Sequence, residues 1–112
     1  MTVALIVTRP DSEKWQWFTV PVAVEEVYQR SWMPGAAATA AVWLPLFQTG
    51  CPLEGKDFPA LTMELLTLRG WVLAQPFDDG RQQALTGRID ALIDALGELL
   101  ADTGGEVEVC IG

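Results

Sequence analysis

The 112-residue sequence predicts a small α+β fold: a sheet built from the N-terminal strands and the C-terminal strand, packed by two or three helices. Three observations carry this. Val3 to Thr8 is apolar at successive positions, as a central strand covered on both faces is. Glu106 to Ile111 alternates, with Val107, Val109 and Ile111 on one side and Glu106, Glu108 and Cys110 on the other, the period of a half-buried strand. Between them, Leu85, Ile89, Leu92, Ile93, Leu96, Leu99 and Leu100 recur at spacings of three and four. At roughly 100° per residue these positions cover one arc of a helix that needs a core.

The elements follow in order. Val3 to Thr8 is the first strand, and Arg9-Pro10-Asp11-Ser12 turns the chain, because Pro fixes φ and Asp and Ser bond nearby backbone. Trp15 to Val22, rich in aromatic and β-branched residues, is a second strand antiparallel to the first, with Pro21 marking an edge or a stop. Ala23 to Ser31 forms a short helix that Trp32-Met33-Pro34-Gly35 breaks. Ala36 to Phe47 is ambiguous: its alanine-rich first half favours helix and Val42-Trp43-Leu44 suits a strand; we assign helix. Gln48 to Lys56 is a loop. Asp57 is placed to cap a helix that has Pro59 in its first turn and runs to about Ala74. Gln75 to Gly80 is an acidic loop, Arg81 to Asp102 the longest helix, and Gly104-Gly105 its stop. The last strand should pair with the first. No internal repeat, linker or low-complexity tail divides the chain, so a single domain over residues 1–112 is expected.

Fifteen acidic residues against seven basic ones give a net charge of −8, while half of the residues are hydrophobic. That is a globular chain and not an acidic disordered one. Its charge repels nucleic acid and favours a basic protein partner. Two cysteines, Cys51 and Cys110, are too few for a disulfide framework, and reduced thiols in the cytoplasm are expected. The N-terminus has no basic region ahead of its apolar run and does not read as a signal peptide. The uncharged stretch from Ser31 to Leu53 is interrupted by Pro34, Gly35, Pro45, Gln48, Gly50 and Pro52. Its continuous apolar run falls far short of the ~20 residues that span a bilayer, so no membrane helix is expected.

Catalytic equipment is sparse. The chain has no histidine, which removes the commonest base near neutral pH and the commonest metal ligand. Lys14 and Lys56 lie outside apolar runs that would depress a lysine pKa, and Cys51, between Gly50 and Pro52, has no basic neighbour in sequence to stabilise a thiolate. Neither Asp78-Asp79 nor Glu54 with Asp57 has the ligand spacing of a calcium loop, and no phosphate-binding glycine pattern is present. The expectation is a protein with no enzymatic activity, cofactor or metal. Trp15 and Trp17 share one strand face, where they serve either as core or as an aromatic anchor for a partner; Trp32, Trp43 and Trp71 lie in apolar contexts that suit a core.

What remains is surface. Asp90, Asp94, Glu98 and Asp102 recur every fourth residue, opposite the apolar arc, with no Lys or Arg interleaved at that spacing. Like charges so spaced destabilise a helix by a few tenths of a kcal/mol per pair, an easily tolerated cost. The pattern serves either an ordinary solvated face or an anionic surface displayed to a partner.

Several landmarks together resemble a known group: Phe18-Thr-Val-Pro21-Val, Trp32 followed by Pro34, and Trp43-Leu-Pro-Leu-Phe47 leading into Gly50. After them come Glu64-Leu-Leu with Trp71, Arg88-Ile-x-x-Leu-Ile, and a terminal Val-x-Val-x-Ile-Gly112. Their arrangement is similar to that of the small acidic immunity proteins that accompany bacterial polymorphic toxins, including contact-dependent inhibition systems. The resemblance spans nearly the whole chain and rests on fold spacing, without a signature motif. It implies a cytoplasmic monomer or homodimer that binds a cognate toxin domain with a basic cleft, often a nuclease, and blocks its active site. That group shares no catalytic residues. The surface expected to bind is Asp90, Asp94, Glu98 and Asp102, with Asp78 and Asp79 as neighbours through the preceding loop; the Glu54 loop with the Asp57 helix is a rival. Two other readings stand beside it: a structural or adaptor subunit that self-associates through the apolar Ala36 to Phe47 segment, and a small enzyme or ligand-binding domain using Cys51 or paired carboxylates.

Overall fold

The computed structural model describes residues 2–9, 15 and 18–112. Trp17 and the centre of the expected Arg9–Ser12 turn lie outside the described residues. Four strands, β1 (Thr2–Arg9), β2 (Thr19–Val24), β3 (Cys51–Glu54) and β4 (Glu108–Ile111), form one antiparallel sheet in the order β2-β1-β4-β3. The α+β class and the pairing of the last strand with the first are as the sequence predicts: Leu5 lies opposite Ile111 and Val7 opposite Val109 at the centre of the sheet.

Three strand expectations need correction. The segment read as a loop over 48–56 contains β3, a sheet edge in which Cys51 and Leu53 are buried and Pro52 and Glu54 are not. An edge strand tolerates Pro52, whose missing N–H has no ladder partner to lose on the open side. Nor is β1 covered on both faces. Val3, Leu5 and Val7 join the core, whereas Ile6 on the opposite side is 49% exposed. The other strands bury the same face, with Val109, Ile111 and Leu53 in that core and Pro52 and Cys110 paired across the outer side. The β2 strand begins later than Trp15 and extends to Val24.

From Glu25 the chain is helical through Ala38: α1 (Glu25–Val27), a π turn over Tyr28–Trp32, and α2 (Met33–Ala38). Thus Trp32-Met33-Pro34-Gly35 does not break the helix. The wider π bonding, in which Met33 N–H reaches the Tyr28 carbonyl, resets the helix so that Pro34 enters in the first turn of α2, where a missing N–H costs least. Gly35 is required there, because a Cβ would collide with Leu68 and Trp71. The helix assigned to 36–47 ends early. Ala40 has φ of 57°, and the chain then makes a 3-10 turn over Leu44–Gln48. The Glu64 carboxylate supplies the acceptors a helix would have given, taking the N–H groups of Val42, Trp43 and Leu44 at 2.9–3.2 Å.

The two long helices are where the sequence places them. Helix α3 (Phe58–Ala74) follows a reciprocal cap in which the Asp57 carboxylate accepts from Glu54 N–H, 3.0 Å. It buries Leu61, Leu65, Leu68 and Val72. Helix α4 (Asp79–Thr103) buries Leu85, Ile89, Leu92, Leu96 and Leu99 against the same core and ends at Gly104, whose φ of 63° favours glycine. Among the described residues no helix is long and apolar enough to cross a membrane.

Candidate functional site

The expected acidic surface is built on α4. Asp78 caps the helix, accepting from Arg81 N–H at 2.8 Å, and Asp79 stands in the first turn, where the helix dipole favours a carboxylate. Neither adjoins the acidic stripe: the rise of 1.5 Å per residue puts Asp78 about 24 Å along the axis from Asp94.

The stripe itself is divided. Each step of four residues turns about 40° beyond a full turn, so from Asp90 to Asp102 the stripe winds about 120° around the helix. Asp90 therefore meets α3, where it accepts from Arg69 Nε at 2.8 Å and Nη2 at 3.3 Å. These bonds and the nearby negative charge raise the Arg69 pKa. At the other end Asp102 accepts from the Trp15 indole N–H at 2.5 Å. Trp15 is buried and packs edge-on against Phe18, ring centroids 4.8 Å apart. It is part of the core and not an exposed anchor. Between these two fixed points Asp94 and Glu98 are exposed and make no hydrogen bond or ion pair among the described residues. Their neighbours on the same side of the helix, Gly87, Ala91, Gly97 and Ala101, are small and exposed.

The rival acidic surface is largely spent internally. Asp57 is engaged in the cap before α3, and Glu54 pairs with Lys56 Nζ at 3.2 Å. A shallow hollow of about 460 Å³ lies beside them, lined by Thr8, Pro52, Glu108 and these charged residues. Among the described residues no group of three or more Cys, Asp or Glu side chains could hold a metal ion. Cys51 and Cys110 are free thiols on adjacent strands but on opposite faces of the sheet, Cys51 paired with Ile111 and Cys110 with Pro52. Burial, then the Cys110, Asp57 and Glu64 charges, push the Cys51 thiol up to about 11, which leaves it protonated and inert near neutral pH.

Two surfaces escaped the sequence. On α3 the outward positions are apolar as well, with Met63 64%, Leu66 48% and Leu73 50% exposed. Their spacing of three and seven, offset from Leu61, Leu65 and Leu68, was the available signal. On α4, Arg81, Ala84, Leu85 and Arg88 share a flank at i, i+3, i+4 and i+7, facing Arg30 and Ser31 of the π turn across a groove. The helix pattern could have grouped the first four; bringing Arg30 to them needed the fold. Comparison with protein-family models, curated proteins and solved structures finds no match.

Proposed function

We propose that this protein is an immunity protein: a cytoplasmic inhibitor that neutralises a bacterial toxin domain by laying the acidic face of α4 over the toxin's basic cleft. One observation carries the reading. Among the described residues Asp94 and Glu98 have no partner, on a helix whose flanks are pinned, by Arg69 to Asp90 on one side and by Trp15 to Asp102 on the other. Two exposed charges on a rigid element lose little freedom on binding and suit the pairing of opposite potentials that speeds association. A cleft evolved to attract phosphate, as in a nuclease, has the matching charge. Asp90 and Asp102 then position the face and do not themselves carry its free charge.

The test uses the immobilised protein to capture partners from lysate of its own source cells, eluted with a salt gradient. We expect one stoichiometric basic protein, released at high salt and inhibited in its own activity by this chain. The double variant Asp94→Asn/Glu98→Gln should bind it about tenfold or more weakly and with a shallower salt dependence. Unchanged affinity and salt slope in that variant would remove the α4 face from the interface.

The exposed apolar residues of α3 favour a second reading, a self-associating structural subunit. Its surface joins the exposed Val42 and Leu46 of the 36–47 segment, in which Ala36, Leu44 and Phe47 are buried, to the outer side of α3. Sedimentation that depends on concentration, and is abolished by Leu66→Glu, would favour it over the inhibitor.

A further inference from the structure

We propose that the groove between the Val24–Ser31 segment and the first turns of α4 is a docking site for an acidic, extended segment of a partner protein. Two adjoining hollows of about 300 and 200 Å³ share Val27, Ala84 and Leu85, so they form one groove. Its floor is apolar, with buried Trp32 and Leu85 beneath exposed Val24 and Val27. Its charge runs against the rest of the molecule. The chain carries −8, yet three of its seven cationic side chains, Arg30, Arg81 and Arg88, line this one place.

The three are held differently. Arg81 lies 4.0 Å over the Phe77 ring and donates through Nη2 to the buried Ser31 hydroxyl at 2.8 Å, which fixes the guanidinium and leaves most of its donors for a ligand. Arg30 pairs with Glu26 at 3.1 Å, in an exposed contact that an incoming carboxylate can replace. Arg88 makes no hydrogen bond or ion pair among the described residues. The π turn is what brings Arg30 and Ser31 to the wall opposite α4. Such turns are an insertion within a helix and are frequent at functional sites.

Spacing identifies the occupant. Arg81 and Arg88 are separated by about 10 Å along the helix axis, and Arg81 is held over Phe77 and on Ser31, so two carboxylates at that spacing engage both arginines without drawing Arg81 from its contacts. In a polyproline-type extended chain, residues i and i+3 face the same way about 9 Å apart. A segment with acidic residues at those positions and an apolar residue between them matches the two arginines and the floor. Bidentate guanidinium–carboxylate pairs would fix its register. This surface is distinct from the Asp94–Glu98 face.

The probe is a fluorescein-labelled, capped Glu-Leu-Pro-Glu peptide, followed by fluorescence polarisation against the full chain. The native protein should bind it, with no binding of a Lys-Leu-Pro-Lys control. Ala84→Trp fills the groove from an exposed helix position, and Arg88→Glu reverses one end; each should weaken binding at least about tenfold. Thermal melts of both variants establish that they fold, and Asp94→Asn/Glu98→Gln should bind the peptide as the native chain does. Absence of binding at millimolar protein, or equal binding by folded Ala84→Trp, overturns the proposal. So does binding of octanoate in place of the peptide, which would make the groove a site for a single-headed amphiphile.

Discussion

Helices α3 and α4 lie side by side under the same sheet and bury comparable rows of leucine, yet they present opposite surfaces to the outside. The outer side of α4 is charged and lined with small residues, the amphipathic arrangement expected of a surface helix. On the outer side of α3 are Met63, Leu66 and Leu73, and both of its charges are spoken for within the molecule. Glu64 holds the backbone of residues 42–44, and Arg69 holds Asp90. A helix apolar on all sides is normally covered on all sides. The contrast separates two jobs that share a core: α4 supplies exposed charge, and α3 anchors the neighbouring segments while leaving an apolar strip open.

The largest test asks whether the two helices matter equally to the core. Leu65 on α3 and Leu92 on α4 are both fully buried. Either substitution by Ala should cost about 2–5 kcal/mol, read by chemical denaturation at constant m-value. A much smaller loss for Leu65→Ala would mean that α3 is held by its polar anchors more than by its packing.

A smaller effect should follow from removing one of those anchors. Glu64→Gln keeps one carbonyl oxygen but loses the charge and the second oxygen that serve the N–H groups of Val42, Trp43 and Leu44. We expect a loss of about 1–2 kcal/mol. Hydrogen exchange should quicken first at those three amides, and unchanged protection there would show that the segment is fixed by Tyr28, whose hydroxyl donates to the Leu44 carbonyl at 2.7 Å.

These anchors also mark where the sequence was legible. The ends of the chain and the two long helices were readable because their signals are local: alternation at Val107, Val109 and Ile111, Pro59 in the first turn of α3, a stop at Gly104. Residues 31–54 were not, because their conformation is set from outside. Pro34 and Gly35 look like breakers until the π turn and the close approach of Leu68 are in place. The Ala36–Phe47 run looks helical until Glu64, some twenty residues away, replaces the helical acceptors. The acidic stripe was correct as a pattern on one helix. Which members stay free was decided by Arg69 and Trp15, which lie on other elements.

That division predicts the smallest effects, and they should differ in sign within one turn of α4. Asp94 faces Glu98 four residues on with no counter-charge among the described residues, so Asp94→Asn relieves a repulsion of a few tenths of a kcal/mol. The melting temperature should stay level or rise slightly, and added salt should erase the gain by screening the same repulsion in the native chain. Asp90→Asn, one turn earlier, removes the charge that Arg69 grips and should lower the melting temperature. If both variants behaved alike, Asp90 would belong with the free acidic face after all. The α4 surface would then be one continuous stripe, and three carboxylates rather than two would be available to a partner.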